Sequence, residues 1–254
     1  MYKKLAIAAA IAAMSVGSAH ALTAGDIAFT GFGGANSTTW GFSFVSFGEI
    51  AAGSTIYFTD NNIKADLSFN TTNESFMTWT TSVAVAAGTV IKVDTTKTAN
   101  LGVFTNLTSA TWNHAGTTET LWAFNPLATA NPAATSGGVA STVAAISMRA
   151  SANTGDTPTG TGLTTANASF IDASGGSRFA QFNFVNDGTT YASAAELRAA
   201  IANKANWTVA SSGTLAAANN ASLITAVPEP STYAMLLAGL GMMGVIARRR
   251  SRRA

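Results

Sequence analysis

Residues 42–62 read FSFVSFGEIAAGSTIYFTDNN. Two runs rich in aromatic and β-branched side chains, Gly41 to Phe47 and Thr55 to Thr59, flank Gly53-Ser54, a dipeptide suited to a turn. Such side chains pack well on a pleated surface and lose rotamer freedom in a helix, so the pair predicts two short strands. The same pattern recurs outward in both directions. Asp26 to Phe32, Phe76 to Thr80, Thr89 to Val93, Thr120 to Phe124, Val143 to Met148, Arg178 to Val185 and Trp207 to Ala210 are further strand candidates. Within Arg178 to Val185, Phe182 and Phe184 fall on one face and Gln181 and Asn183 on the other, the alternation of a strand with one buried side. Gly88 and Asp187-Gly188 supply more turns.

Helical periodicity is nearly missing. Ser193-Ala194-Ala195-Glu196 forms a capping box, and Leu197 and Ile201 follow at helical spacing, which predicts one helix before Asn206-Trp207. Residues 125–142, 150–176 and 211–226 are poor in large apolar side chains and read as loops or linker. Nine short strands without long helices predict an all-β fold: an antiparallel immunoglobulin-like β-sandwich with one short helix, a closed barrel being the alternative. The body is expected over residues 22–210, with residues 211–226 as a linker that lifts it off a membrane.

The 254 residues allow one domain of about 200 residues once the ends are set aside. Only 10% of residues are charged and 47% are hydrophobic, with a mean hydropathy of +0.24, so the chain has the means to bury a core. The net charge of +2 belongs to the two ends. Lys3, Lys4, Arg248, Arg249, Arg250, Arg252 and Arg253 account for seven of the fourteen bases; residues 22–227 hold the other seven against eleven of the twelve acids, a net of −4. The internal bases are scattered singly, so no basic stripe is available to neutralise a row of phosphates, and a nucleic-acid partner is disfavoured. Cysteine is absent, which removes disulfides, thiolate metal sites and cysteine nucleophiles together.

Both ends carry sorting chemistry. Residues 1–21 place Lys3 and Lys4 before an apolar run from Leu5 to Val16 and end in Ala19-His20-Ala21. This is the pattern of a secretory signal helix, and the small side chains at Ala19 and Ala21 fit the pockets of signal peptidase, with cleavage expected after Ala21. At the other end, Val227-Pro228-Glu229-Pro230-Ser231 precedes an apolar segment from Thr232 to Ala247, then the five arginines. The prolines flanking Glu229 forbid regular backbone pairing and hold the peptide extended, a shape that an enzyme cleft can bind. The apolar segment is about 16 residues, roughly 24 Å as a helix, so it spans the ~30 Å hydrocarbon layer only if the arginines snorkel or the bilayer thins. Arg248, Arg249, Arg250, Arg252 and Arg253 act as the membrane stop and remain cytoplasmic, which leaves the body outside, with membrane lipid a partner of the tail.

Residues 227–254 resemble the PEP-CTERM sorting signal of exported bacterial proteins. The resemblance implies that Pro228, Glu229 and Pro230 are recognised by an exosortase, a membrane transpeptidase, which removes the tail and can join the body to an exopolysaccharide or surface matrix. The segments GDIAFTGFGG at 25–34 and FSFVSFGEIAAGSTIYFTDNN at 42–62 resemble lamin-tail-like β-sandwich domains of secreted bacterial proteins, with weaker similarity through Glu119 to Phe124 and Glu196 to Trp207. That module implies an immunoglobulin-like sandwich and brings no catalytic residues.

Internal chemistry is sparse. Export would remove His20, so the body keeps His114 alone, in a polar stretch that supplies neither a nucleophile nor an orienting carboxylate, and a surface histidine is expected. Asp60-Asn61-Asn62 with Asp66 or Asp26 could offer oxygens to Ca²⁺, but no D-x-D-x-D-G loop is present and Asp/Asn after a strand ordinarily makes a turn. Trp40, Trp79, Trp112, Trp122 and Trp207 fit a sugar-stacking platform or, more economically, the core of a small sandwich. A hydrolase would need two converging carboxylates such as Asp60 and Glu119. The expectation is an exported structural or adhesive protein without catalysis, cofactor or metal; the alternatives are a carbohydrate-active hydrolase and a calcium-dependent sugar-binding module.

Overall fold

The strands are β1 (Ile27–Gly34), β2 (Trp40–Ser46), β3 (Thr55–Thr59), β4 (Phe76–Thr80), β5 (Val90–Val93), β6 (Val103–Asn106), β7 (Thr120–Pro126), β8 (Val139–Ser147), β9 (Phe170–Asp172), β10 (Phe179–Phe182) and β11 (Trp207–Ala210). Among the described residues of the body, one helix, α1 (Ala194–Ala202), is followed by a 3-10 turn at Lys204–Asn206. These come from a computed structural model that describes residues 21–34, 40–70, 74–108, 119–127, 138–149, 158–173, 178–185, 187–217, 221–225, 239, 242 and 243. The signal helix and the C-terminal transmembrane segment expected at 232–247 lie outside the described residues, apart from Gly239, Met242 and Met243. No helix among the described residues is long and apolar enough to cross a membrane.

The strands form two sheets, in the order β11-β10-β1-β2-β5 and β6-β4-β3-β7-β8-β9. Pairing is antiparallel throughout except between β8 and β9, which run parallel with Ala145 opposite Phe170. The expected sandwich is therefore present, with one departure from an antiparallel pattern. The parallel pair is possible because a long connection separates its strands, time enough for the chain to cross over.

The core is aromatic. Phe29, Phe42 and Phe44 of the five-stranded sheet meet Phe58 and Trp79 of the six-stranded one, with centroid separations of 4.9 Å for Phe42 to Phe58 and 5.5 Å for both Phe44 to Phe58 and Phe44 to Trp79. Strand alternation sends Ile56, Phe58, Met77, Trp79, Leu121 and Ala123 into this layer. The intervening positions Phe76, Trp122, Phe124, Ala145 and Phe170 form a second apolar cluster on the far side of the six-stranded sheet, where Ile63, Phe69 and Leu163 cover it. That sheet is thus apolar on both faces, each closed by other parts of the chain, which is what burial of two-sided strands demands.

Helix α1 starts at the predicted Ser193 cap, but Glu196 reaches back one residue beyond the N-cap amide that a capping box uses. Ser193 Oγ accepts from the Glu196 amide at 3.2 Å, and Glu196 Oε2 accepts from the Ala192 amide at 3.0 Å. Leu197 and Ile201 are buried in the core, as their spacing requires. The turns at Gly53, Gly88 and Gly188 adopt positive φ of 83°, 78° and 85°.

Residues 211–217 and 221–225, the described part of the linker expected at 211–226, hold buried leucines and bonds to the body. Leu215 is buried; the Ala216 amide donates to Gln181 Oε1 at 3.0 Å and Lys92 Nζ donates to the Leu215 carbonyl at 2.9 Å. Leu223 is buried in the sandwich core. The physical reason is on the outer face of the five-stranded sheet, where Gly31, Ser43 and Gln181 are cross-strand neighbours and leave a hollow for Leu215. Residues 150–176, also expected to be loop, supply β9, and β8 begins at Val139 within the loop expected at 125–142.

Candidate functional site

The body is tied into its fold at residues close in sequence to both sorting elements. Ala21 is exposed, whereas Leu22 packs on the core and its carbonyl accepts from Asn125 Nδ2 at 2.7 Å. Thr23 follows in a turn closed by Asp26, whose Oδ2 accepts from the Thr23 amide at 2.6 Å and hydroxyl at 2.8 Å. At the other end, the Leu223 amide donates to the Gly88 carbonyl at 2.8 Å, and the Tyr191 amide donates to the Leu223 carbonyl at 2.7 Å. Ser222 bridges antiparallel to Thr89 and Ile224 bridges parallel to Tyr191. Only Thr225, Ala226 and Val227 separate that pairing from Pro228. Ala19, Pro228, Glu229, Pro230, Arg248, Arg249, Arg250, Arg252 and Arg253 lie outside the described residues, as do His114 and Trp112.

Asp60 is the most perturbed carboxyl among the described residues. It follows β3, is 5% exposed, and accepts from the Ser75 amide through Oδ1 at 2.8 Å. Burial pushes its carboxyl up to about 7; the Ser75 amide works against that shift and the Glu74 and Glu119 carboxylates add to it. A carboxyl that is half protonated near neutrality can donate a proton. The position after β3 suits a turn, and the structure adds what the sequence does not show, that Asp60 and the neighbouring Asn61 are buried.

The carboxylates considered for calcium do not gather. Asp60 faces Ser75, Asp26 closes the turn at Thr23, and Asp66 Oδ1 accepts from the Ser68 amide at 3.0 Å and hydroxyl at 2.6 Å. Among the described residues, no group of three or more His, Asp or Glu side chains is placed to hold a metal ion.

Trp40, Trp79 and Trp122 are fully buried, as a core role requires. Lys97 roofs Trp40: its Nζ lies 4.0 Å from the ring centroid and donates to the Trp40 carbonyl at 3.0 Å, and desolvation holds this ammonium down at about 8. Trp207 differs. It is half-buried and lines a cleft between β9, α1 and β11 together with Phe170, Ile171 and Ile201. Lys204 and Asp172 also line the cleft and form an ion pair of 2.8 Å. Trp207 Nε1 is committed to the Ile201 carbonyl at 2.8 Å, so the indole is held rigidly.

Residues 226–253 match the family model of the PEP-CTERM protein-sorting motif. The chain therefore carries the signal of an exported protein, held at the membrane before processing by an exosortase. No curated protein and no solved structure matched the chain.

Proposed function

We propose that the protein is an exported, non-enzymatic surface or matrix component: signal peptidase releases Leu22 as the first residue, an exosortase removes the tail, and the sandwich serves a structural or adhesive role in the extracellular polymer layer. The observation that carries this reading is the sorting motif at 226–253, which begins two residues after Ile224, the bridge partner of Tyr191. At the amino end, Ala21 is exposed while Leu22 is bound to the body, which leaves the proposed cleavage site accessible next to a folded domain. Terminal peptide mapping of the mature protein by mass spectrometry tests it, in cells with and without the exosortase and in Glu229→Ala. Expected are an amino terminus at Leu22 and loss of the tail only where enzyme and Glu229 are both present. An unaltered tail in every sample overturns the reading.

A sugar-binding role for the body has one observation in its favour, the Trp207 cleft, since a rigid indole beside polar groups is suited to stacking on a pyranose face. If the body works this way, Trp207→Ala abolishes retention on immobilised exopolysaccharide while the melting temperature shows that the fold persists. Equal retention of the variant removes this reading.

A further inference from the structure

The segment 221–224 is held by the body through groups that an extended-peptide cleft would also use. Leu223 spends both backbone groups on the body, its amide on Gly88 and its carbonyl on Tyr191. Ser222 Oγ donates to the Ala87 carbonyl at 2.6 Å, and Ser222 pairs with Thr89. The Leu223 side chain is 4% exposed and belongs to the core. The surroundings are tight: a Cβ on Gly88 would lie 2.4 Å from Ser222 Oγ and 2.6 Å from the Ile224 amide nitrogen. This is a docked segment held by two isolated bridges, not a tether.

The three residues from Thr225 to Val227 reach about 10 Å when fully extended. An enzyme that binds a peptide as an added strand draws affinity from main-chain hydrogen bonds on both sides of the bond it attacks. On the amino side of Pro228-Glu229-Pro230, those groups run directly into Leu223 and Ile224. An enzyme that bound this backbone as an added strand would compete with the body for it.

We propose that residues 221–224 form a strap whose release from Gly88, Thr89 and Tyr191 gates processing of the tail, so that the exosortase reads a segment longer than the sorting motif and acts on the undocked strap. This rests on the exosortase reading above.

The chain lacks cysteine, so one engineered disulfide reports without ambiguity. Thr89 and Ser222 are cross-strand partners, and Cα atoms of such a pair lie about 4.5–5.5 Å apart, within the range a disulfide spans. Thr89→Cys with Ser222→Cys, oxidised in the export compartment, locks the strap, and each single cysteine variant controls for the lost hydroxyl. Tail removal is followed by mass spectrometry in cells that contain the exosortase. Expected is at least a tenfold slower loss of tail in the locked protein, recovery on adding reductant, and insensitivity to the disulfide once a Gly/Ser spacer of about ten residues is inserted between Thr225 and Ala226. Equal rates for the locked protein, the single variants and the wild type overturn the strap alone. A tail retained by the wild type and the spacer variant alike overturns the exosortase reading and the strap with it.

Discussion

Phe42 of β2 and Phe58 of β3 lie with ring centroids 4.9 Å apart, each from a different sheet, and both are fully buried. Phe58 also meets Phe29 at 6.1 Å and Phe44 at 5.5 Å, so its ring is the point at which the sheets interlock. Phe58→Ala removes it from three partners and leaves a cavity in a layer with aromatic walls. The expected loss is about 3–5 kcal/mol of unfolding free energy, read by urea denaturation followed through tryptophan fluorescence.

Asp60 makes stability depend on pH in a defined direction. Its folded-state pKa of about 7 stands above the ordinary 3.8, so between roughly pH 4 and 7 the folded protein binds the proton that the unfolded chain has lost. Its contribution therefore falls as pH rises through that window and is flat above it. Asp60→Asn keeps an acceptor for the Ser75 amide and cannot ionise. The variant is expected to match the wild type near pH 4 and to exceed it by up to about 4 kcal/mol at pH 8, the full value of three pH units. Paired denaturation curves across that range decide the matter; a constant difference refutes it.

Ser193 caps a helix of nine residues. Ser193→Ala orphans the Glu196 amide at an exposed end and should cost about 1 kcal/mol. The change also loosens Trp207, whose indole is tied to Ile201 in the last turn, so near-ultraviolet circular dichroism should report it before the sandwich melts.

Gly33 has φ of +111°, and a Cβ there would fall 1.9 Å from the Arg178 carbonyl oxygen. Backbone, unlike a flexible side chain, cannot step aside without breaking the β1–β10 ladder, in which Gly33 faces Phe179. Gly33→Ala should cost at least about 3 kcal/mol, with early loss of amide protection in β10 and β11 by hydrogen exchange.

The strands whose side chains alternate or cluster as aromatics were legible: β3, β4 and β11 occupy the expected residues, and β1, β2, β5 and β7 lie within two residues of them. Two strands left no such mark. Val103 of β6 is 65% exposed on a sheet edge, where burial imposes no pattern, and β9 has only three residues, too few to show a period of two. The strand expected through Val185 leaves its ladder after Phe182, although Phe184 still packs edge-on against Phe182 at 5.5 Å, so the alternation outlasts the pairing. Residues 211–217 and 221–224 pack in a way that their composition does not announce. Single leucines among Ala, Ser and Asn look like linker, yet Leu215 and Leu223 each fill a place that other segments prepared. The sorting motif was legible because its chemistry is local and linear, whereas the raised pKa of Asp60 comes chiefly from burial, with Glu74 and Glu119 adding to it, and burial is set only once the fold is formed.

The bond between Ser222 and Ala87 joins positions 135 apart in the chain. Export threads a protein through its pore amino end first, so nearly all the remaining polypeptide has crossed before that closure can form. Closure of the sandwich is consequently a late event in synthesis, and a protein truncated after Ala210 should keep an unfinished edge at Gly88 and Thr89, read as faster amide exchange there.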